Sequence, residues 1–295
     1  MRLRNKLLGG ILLVTLVPVL ALGALFYTSY RRDLVRGVRD HLRSVAAIQQ
    51  ARLSAILLQN QERLALVSSR TQLRQSMDAY LSSADPMAPP RMARILEDAA
   101  RSIPELETIT VYSTGGVAVA STDSDQTGRP FLDLDLLSRS RIAPVVDHLL
   151  LDAQGEVRAY LCGPMILDGR TLGVVVIRAK VDNMLSSLFD YAGLGSTGET
   201  LLLEPTADGR RRSLTPTRFD PGAAMKTIPW DGELYAENGT EASAVDYRGA
   251  RVLAVQRTVP GTNWLLVVKI DQKEALAGAT RAGWRASALF ALLVG

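Results

Sequence analysis

The amino-acid sequence predicts an α+β protein with a long N-terminal helix, two tandem modules that each contain an antiparallel sheet, and a transmembrane helix at either end. Three observations support this fold class. Uncharged apolar runs stand near both ends of the 295-residue chain. Apolar residues at helical spacing follow the first run. Two series of β-branched, strand-length segments come next.

The composition excludes several classes of protein. The chain is 47% hydrophobic, which supports a packed core and argues against global disorder. Its net charge is +4, but the arginines are spread along the chain and aromatic residues make up only 5%, so we expect no nucleic-acid partner. The single cysteine, Cys162, predicts neither a disulfide within the chain nor a zinc site. We interpret it as a small buried strand residue.

The N-terminal apolar run predicts a transmembrane helix over residues 7–29. This run carries no charge, and a bilayer needs about 20 such residues. Arg2, Arg4 and Lys6 precede it and place residues 1–6 in the cytoplasm by the positive-inside rule, although the arginines that follow the run make the rule ambiguous. A cleaved signal peptide is the alternative, but the run is long for one and no A-x-A site ends it.

The C-terminal residues 284–295 predict the start of a second transmembrane helix. From 286 to 295 every residue is apolar, small or serine. Ten helical residues span about 15 Å, half of a hydrocarbon core of about 30 Å. We therefore expect a span that is cut short, with any output domain outside this chain. A terminal amphipathic helix is the alternative.

The stretch from residue 30 to residue 82 predicts one long helix that leaves the membrane directly. It lacks proline, and its apolar residues recur at intervals of three, four or their sums. They are Leu34, Val38, Leu42, Val45, Ile48, Leu53, Ile56, Leu57, Leu64 and Leu73. A Ser-Ser-Ala-Asp-Pro sequence at 82–86 ends the helix, and a shorter helix is expected at about 90–102.

Two modules follow, a membrane-distal one over residues 83–190 and a membrane-proximal one over residues 191–283. The distal module has predicted strands at 107–112, 117–121, 146–151, 157–166 and 171–178, and a short helix at 132–140. Asp168 and Gly169 supply its last hairpin turn. The proximal module has predicted strands at 199–204, 241–247, 251–258 and 264–270, and a loop-like stretch at 213–240.

Both modules close on a strand that runs into an acidic residue able to cap a helix. Asp182 has this position in the distal module and Asp271 in the proximal one. Asp271 and Glu274 also have the spacing of a capping box, with Asp in place of the usual Ser or Thr. The repeat favours two tandem modules. A single irregular mixed sheet is the alternative.

Three segments carry a resemblance to a known family. They are LALVSSRTQLR at 64–74, the glycine-rich GLGSTGETLLL at 193–203, and DYRGARVLAV at 246–255 with TNWLLVV at 262–268. In this order they resemble the double-Cache (dCache) sensor domains of bacterial sensor histidine kinases, diguanylate cyclases and chemoreceptors. The resemblance covers roughly residues 30–283. It implies a PAS-like fold in each module and a ligand in the distal one.

The motif residues of the proximal module have structural explanations. Gly195 and Gly198 allow a tight, positive-φ approach into a strand, and Gly249 turns a hairpin. We expect Trp264 to close the core of the module.

The resemblance also bears on the ligand. Family members that bind amino acids use a Tyr, an Arg, a Trp-Tyr pair and an Asp late in the last distal strand. This chain has no Trp before Trp230, and Arg178 stands at the position of the Asp. A cation there repels an ammonium group and favours a carboxylate, so we expect a small organic anion. Its expected contacts are Tyr112, Arg141, Tyr160 and Arg178. Alternatively, Arg178 points to solvent at a strand end.

We expect no catalytic residue, metal or cofactor in this chain. Gly193, Gly195 and Gly198 match G-x-G-x-x-G, but a strand follows them where a dinucleotide site needs a helix. His41 and His148 are isolated in the sequence, and we interpret His41 as a solvated helix residue.

The sequence therefore predicts the sensing region of a bacterial inner-membrane receptor, with its modules in the periplasm and its long helix pairing two copies. The expected output is a histidine kinase. A diguanylate cyclase, a cyclic di-GMP phosphodiesterase or a chemotaxis signalling domain is the alternative. Two other classes are a membrane-anchored extracytoplasmic enzyme, which needs convergent catalytic groups, and the binding component of a transporter, which needs a cleavable N-terminus.

Overall fold

The computed structural model describes residues 2–231 and 241–280. The side chains of residues 2–13, 15, 16, 20 and 241–243 are outside this description as well. The predicted second transmembrane segment, 284–295, and the last residues of the predicted proximal module therefore lie outside the described residues.

The described residues form six α-helices and two sheets. The helices are α1 (Arg2–Ser68), α2 (Thr71–Ser83), α3 (Ala88–Arg101), α4 (Leu134–Ser140), α5 (Asp182–Leu188) and α6 (Gln272–Ala275), with single 3₁₀ turns at Ser124–Gln126 and Pro221–Ala223. The predicted helices at about 90–102 and at 132–140 correspond to α3 and α4.

Both sheets are antiparallel. The distal sheet contains β1 (Leu106–Ser113), β2 (Ala118–Ser121), β3 (Val145–Leu151), β4 (Val157–Leu167) and β5 (Arg170–Lys180), in the order β2-β1-β5-β4-β3. The proximal sheet contains β6 (Glu199–Pro205), β7 (Arg211–Ser213), β8 (Thr227–Ile228), β9 (Glu241–Val245), β10 (Arg251–Thr258) and β11 (Leu265–Asp271), in the order β8-β7-β6-β11-β10-β9.

The two sheets share one topology. With β8 set aside, each places the strands of its module in the order second, first, fifth, fourth, third. The prediction of two tandem modules is confirmed, and the alternative of a single irregular sheet is wrong. The sequence did not predict β7 and β8, because strands of three and two residues are too short to show an alternating pattern.

Helix α1 lies against both sheets. It packs on β10 and β11 of the proximal sheet and on β3, β4 and β5 of the distal sheet. Leu42 and Ala46 are buried against the proximal sheet, whereas Leu53, Leu57 and Leu64 are buried against the distal one. Each sheet has an apolar face that must be covered, and one helix covers both.

The apolar stripe predicted for the long helix is largely confirmed. Leu42, Leu53, Leu57, Leu64 and Leu73 are all buried. Ile48 is an exception, because its side chain is 54% exposed and the neighbouring Gln49 is buried in its place. The hydroxyl of Ser187 donates a hydrogen bond to the Gln49 side-chain oxygen at 3.3 Å, which satisfies that buried acceptor.

The long helix breaks after Ser68, which the sequence did not predict. Arg70 has an extended backbone, with φ −59° and ψ 119°, and separates α1 from α2. The hydroxyl of Ser68 turns back to the Ala65 carbonyl at 3.4 Å, a local bond with which serine competes against helix continuation. Past the break, Leu73 and Met77 of α2 are buried in the distal core.

The predicted cap of α5 is wrong, the predicted cap of α6 is confirmed in position but not in its hydrogen bond, and the predicted hairpin turn is confirmed. Val181, and not Asp182, is the N-cap of α5. Asp271 is the N-cap of α6 but makes no capping hydrogen bond, because its carboxylate binds the guanidinium of Arg248, a stronger partner than a neutral N–H. Asp168 and Gly169 form the β4–β5 turn with φ of 49° and 75°, as this two-residue hairpin requires.

Trp264 joins the cores of the two modules. Its side chain is 1% exposed. It belongs to a cluster that contains Leu53 of α1, Leu149 of the distal sheet and Leu266 of the proximal sheet. The prediction that Trp264 closes a core is confirmed, and this core is shared between the modules.

Within residues 2–231 and 241–280, no helix is both long enough and apolar enough to cross a membrane. The segment 7–29 is helical as part of α1, but several of its side chains lie outside the description. The first transmembrane helix stays a prediction.

We predict that Leu64→Ala lowers the free energy of unfolding by about 2–5 kcal/mol, because it leaves a cavity where α1 meets β4. A Cβ atom on Gly163 of β4 would lie only 2.9 Å from a methyl carbon of Leu64. Urea unfolding followed by circular dichroism measures the loss. Leu132, which is 90% exposed, provides the matched control, and Leu132→Ala should change stability by no more than about 0.5 kcal/mol. An equal loss of unfolding free energy in both variants would contradict the conclusion that packing of α1 against the distal sheet stabilises the fold.

Candidate functional site

The distal sheet has one face against α1 and a second face, here called the α4 face, which helix α4 covers. Strand side chains on the α4 face include Tyr112, Tyr160, Cys162, Val174 and Val176. Leu136 and Leu137 of α4 pack onto them and form a small apolar cluster. The alternation of side chains along each strand separates this cluster from the core against α1.

Two of the predicted site residues, Tyr112 and Tyr160, lie in this cluster. Tyr112 is buried, its ring centre lies 5.0 Å from that of Phe131, and burial raises the pKa of its phenol. Tyr160 is half-buried and meets the ring of His148 edge-on, with 6.5 Å between ring centres. Cys162 is buried in its strand, as predicted. Burial raises the pKa of its thiol to about 12, so the thiol stays protonated.

Arg178 lies on the same face, as the register partner of Tyr160 on the neighbouring strand. Its Nε is 3.2 Å from Oε2 of Glu107. Nε of Arg158 donates to the same oxygen at 2.9 Å, and Arg158 also pairs with Asp152 at 3.1 Å. Arg178 is therefore ion-paired within the sheet instead of being directed to solvent alone. The positive charges of the two arginines balance the negative charges of Glu107 and Asp152.

The guanidinium of Arg178 keeps hydrogen-bonding capacity despite this ion pair. Its side chain is 38% exposed. Its Nε is buried and has no hydrogen-bond partner among the described residues, so the contact with Glu107 is electrostatic. A guanidinium offers five N–H donors. Arg178 can therefore accept a further anionic partner on this face.

Arg141, the fourth predicted residue, lies at the rim of the α4 face. It directly follows α4, and its Nη2 donates to the carbonyl of Thr114 in the β1–β2 turn. Its Nε is buried with no partner in the described part of the chain. The structure thus brings three predicted residues together on one face and uses the fourth to hold a turn beside it.

The sequence did not predict four further polar residues of this region. They are Glu107, Asp133, His148 and Arg158. Asp133 caps α4, and its second oxygen lies 3.5 Å from Nε2 of His148. Burial lowers the pKa of His148, and the charge of Asp133 partly offsets this. Strand alternation could have predicted that Arg158 and Tyr160 lie on the same face of the sheet, because they are two residues apart. Glu107 could not be predicted in this way, since it lies where β1 shifts register, and the residue pattern does not show that irregularity.

The proximal sheet buries a lysine on its face away from α1. Lys269 is fully buried, and its Nζ lies 2.6 Å from Oε1 of Glu199 and also contacts Oδ2 of Asp246. Lys269 and Glu199 are register partners on β11 and β6. The hydroxyl of Tyr247 donates to Glu199 at 2.9 Å. A buried charge of this kind is tolerated only when its partners are in place.

Arg248 completes this buried network. It pairs with Asp246 at 2.7 Å and with Asp271. Burial alone would raise the pKa of Asp246, but the hydrogen bonds and charges of Lys269 and Arg248 outweigh burial and lower it. The network ties the β9–β10 turn to the ends of β6 and β11, next to the start of α6.

The glycine-rich loop between α5 and β6 contacts both α1 and α6. Nε2 of His41 in α1 lies 2.9 Å from the Gly193 carbonyl, so His41 is exposed, as predicted, but also bound. Glu274 in α6 accepts hydrogen bonds from the backbone N–H and the hydroxyl of Ser196 and of Thr197. Burial raises the pKa of Glu274, but these four bonds outweigh burial and bring it to about 2. The predicted capping box is wrong, because Glu274 binds this loop instead.

Different physical constraints require glycine at the two positions predicted to shape this loop. Gly195 has a positive φ of 70°, and a Cβ atom there would collide with the carboxylate of Glu274. A Cβ atom on Gly198 would collide with the carbonyl of Leu194. The positive-φ prediction is confirmed for Gly195, whereas Gly198 is required by a close backbone approach.

Comparisons with known proteins give a fold and no family assignment by sequence. No protein-family model matches the chain, and no curated protein matches it. Solved structures do match. The sensor domain of the V. cholerae histidine kinase DctB aligns with a TM-score of 0.61 at 15% identity, over 80% of this chain and 98% of that one.

Two chemoreceptor domains show the same likeness. The ligand-binding domain of the Pseudomonas aeruginosa PAO1 amino-acid chemoreceptor PctC, in complex with GABA, aligns with a TM-score of 0.59 at 17% identity, over 79% of this chain and 100% of that one. The ligand-binding domain of Pseudomonas fluorescens chemoreceptor CtaA, in complex with L-alanine, aligns with a TM-score of 0.56 at 15% identity, over 81% and 99%. The chain therefore has the tandem PAS-like, double-Cache fold that its motifs predicted.

We predict that the contacts of Glu274 stabilise the fold above about pH 4.5 and weaken in acid. The pKa of Glu274 is about 2 in the folded chain, against an ordinary value of 4.5. Its contribution is therefore fully present above pH 4.5 and is lost as the pH falls through 2. Melting temperatures of the wild type and of Glu274→Gln, measured from pH 2 to pH 6, should converge toward the acid end.

The control for this prediction is Glu97→Gln on α3. The Glu97 side chain is 51% exposed and forms a long ion pair with Arg101 of its own helix, so this variant should follow the wild type at every pH. A gap between the wild type and Glu274→Gln that stays constant from pH 6 to pH 2 would contradict the assignment.

Proposed function

We propose that this chain is the extracytoplasmic input region of a bacterial transmembrane signalling receptor and that it binds a small molecule. The observation that carries the proposal is the tandem pair of PAS-like modules on one long helix. Solved structures with this architecture include a sensor domain of a histidine kinase and ligand-binding domains of chemoreceptors.

The membrane topology is part of this proposal. Residues 7–29 form a transmembrane helix and residues 284–295 begin a second, which places the two modules on the periplasmic side of the inner membrane. Support comes from the uncharged run and from α1, which is helical without interruption from Arg2 to Ser68 and so connects that run to both sheets. A reporter fused after residue 295 should be active in the cytoplasm, and activity in the periplasm would contradict two spans.

We assign the ligand to the α4 face of the distal module. Tyr112, Tyr160 and Arg178 share this face, and Arg178 keeps open donors. A carboxylate can take those donors while Glu107 stays hydrogen-bonded to Arg158. GABA and L-alanine, the molecules bound by PctC and CtaA, both carry a carboxylate. Because two guanidiniums already hold Glu107, an ammonium group competes poorly for it, and we favour a small organic anion over an amino acid.

We predict that a small organic acid raises the melting temperature of the full chain and that Arg178→Gln abolishes the rise. Saturating ligand stabilises the folded state by about 2.7 kcal/mol at one hundred times the dissociation constant. A thermal-shift panel of mono- and dicarboxylic acids and of amino acids makes the measurement.

The matched control is Arg170→Gln at the start of the same strand, where the side chain is 67% exposed and pairs with Asp78. This variant should keep the ligand-induced rise. A panel in which amino acids stabilise the chain and organic acids do not would contradict the ligand class. A rise that survives Arg178→Gln would move the site away from the α4 face.

The glycine-rich loop between α5 and β6 offers a path for the signal. It is hydrogen-bonded to α1 through His41 and to α6 through Glu274, and these helices lead toward the two proposed spans. A ligand that binds one relative position of the helices more tightly shifts the population toward that position. The loop thus joins the two elements whose relative movement the membrane spans would transmit.

Pairing of two copies through α1 is also proposed. Ile48 and Leu66 are 54% and 67% exposed, and their separation of 18 residues is five helical turns, so they share one side of the helix. A second α1 would cover these side chains. Light scattering of the purified chain should give twice the mass of one 32.0 kDa chain, and a monomer mass would contradict this pairing.

A histidine kinase is the first candidate for the output, because the sensor domain of DctB shares the fold over most of both chains. A chemoreceptor is the second candidate, favoured by PctC and CtaA. A diguanylate cyclase or cyclic di-GMP phosphodiesterase is the third. The gene sequence that follows codon 295 discriminates among them.

A further inference from the structure

A cavity of about 680 Å³ lies in the proximal module, on the sheet face away from α1. The cavity is bordered by the paired strands β7 and β8, by the residues that follow β8, and by the β9–β10 turn. Its described walls include Arg211, Ile228, Trp230 and Tyr247. Its volume is within the range of small-molecule sites, about 300–1,000 Å³. The cavity is separate from the α4 face, which belongs to the distal sheet.

Arg211 brings an uncompensated cation to this cavity. It is the register partner of Ile228, so both side chains lie on the cavity side of the sheet. Its sequence neighbours Arg210 and Arg212 have carboxylate partners, whereas Arg211 has no ion pair with any residue in the described ranges. The side chain is half-buried, and burial lowers its pKa. A partly desolvated charge with no partner is costly for the folded chain.

The aromatic ring of Trp230 forms part of the apolar wall of the cavity. Its Nε1 is closed to solvent, so this N–H does not face the cavity. Asp246 also lines the cavity, but its carboxylate is already bound to Lys269 and Arg248. Asp231 is exposed at the rim. Of the two arginines in the described wall of the cavity, Arg210 has a carboxylate partner and Arg211 has none, so the matching ligand is an anion.

We propose that this cavity binds an aromatic carboxylate. Arg211 binds the carboxylate, and Ile228 with the rings of Trp230 and Tyr247 packs along the aromatic body. An inorganic anion would pair with Arg211 but would leave these apolar walls without a partner. The site goes beyond the proposed function, which places a ligand on the distal α4 face.

Calorimetric titration of the full chain tests the proposal with benzoate and phenylacetate as probes. Benzyl alcohol is the neutral match, and inorganic phosphate is the anion without an apolar body. We expect both carboxylates to bind at least about 10-fold more tightly than benzyl alcohol, because a hydrogen-bonded charge pair is lost in the alcohol. Phosphate should bind no more tightly than benzyl alcohol.

Variants locate the site. Arg211→Gln should weaken benzoate binding at least about 10-fold, because the charge-assisted hydrogen bonds to the carboxylate are lost. Arg251→Gln is the control, because Arg251 is exposed in the same module and outside the cavity. It should leave the affinity unchanged. The ligand-free melting temperature of Arg211→Gln should equal or exceed that of the wild type, since an unpaired cation is removed.

The outcomes separate this site from the distal one. No carboxylate binding, equal affinity for benzoate and benzyl alcohol, or equal affinity of the wild type and Arg211→Gln each overturns the proposal. A large fall in the ligand-free melting temperature of Arg211→Gln does so too, because it reveals an internal partner. Benzoate binding that is lost in Arg178→Gln and kept in Arg211→Gln assigns the ligand to the α4 face, against the proximal site and in favour of the distal one.

Discussion

Helix α1 buries one side against two sheets in succession, and the positions of the other elements follow from that contact. Leu42 lies beneath the proximal sheet, and Leu64 lies against Gly163 of the distal sheet. The modules therefore share a helix as well as the core around Trp264. Because interiors are close-packed, a displacement of α1 is felt by both sheets at once. A movement of α1 at one sheet is therefore transmitted to the other sheet.

On the face away from α1, the two sheets differ in how deeply their charged side chains are buried. In the proximal module Lys269 is fully buried between Glu199 and Asp246, so removing one partner would leave an uncompensated buried charge. In the distal module Arg178 and Glu107 remain partly open to solvent, where an ion pair contributes little and can be exchanged for another partner. The proximal network therefore fixes the fold next to α6, whereas the distal charges are free to exchange partners.

Sequence patterns predicted most of the elements and part of the site. Alternation within strands placed Tyr160 and Arg178 on adjacent strands, where the structure pairs them. The pattern could not show that β1 shifts register at Glu107, because a register shift is defined by the neighbouring strand and not by the strand itself. It also could not show the bend at Arg70, since no proline or glycine marks it.

The sequence by itself determined the division into a long N-terminal helix and two repeated modules, because the hydrophobic period and the turn residues are local properties of the chain. The tertiary structure alone decided which charges meet. Asp271 and Glu274 have the spacing of a capping box, yet they bind Arg248 and the loop at Ser196 and Thr197. A carboxylate takes the strongest donors within reach. Which donors those are depends on residues far away in the sequence.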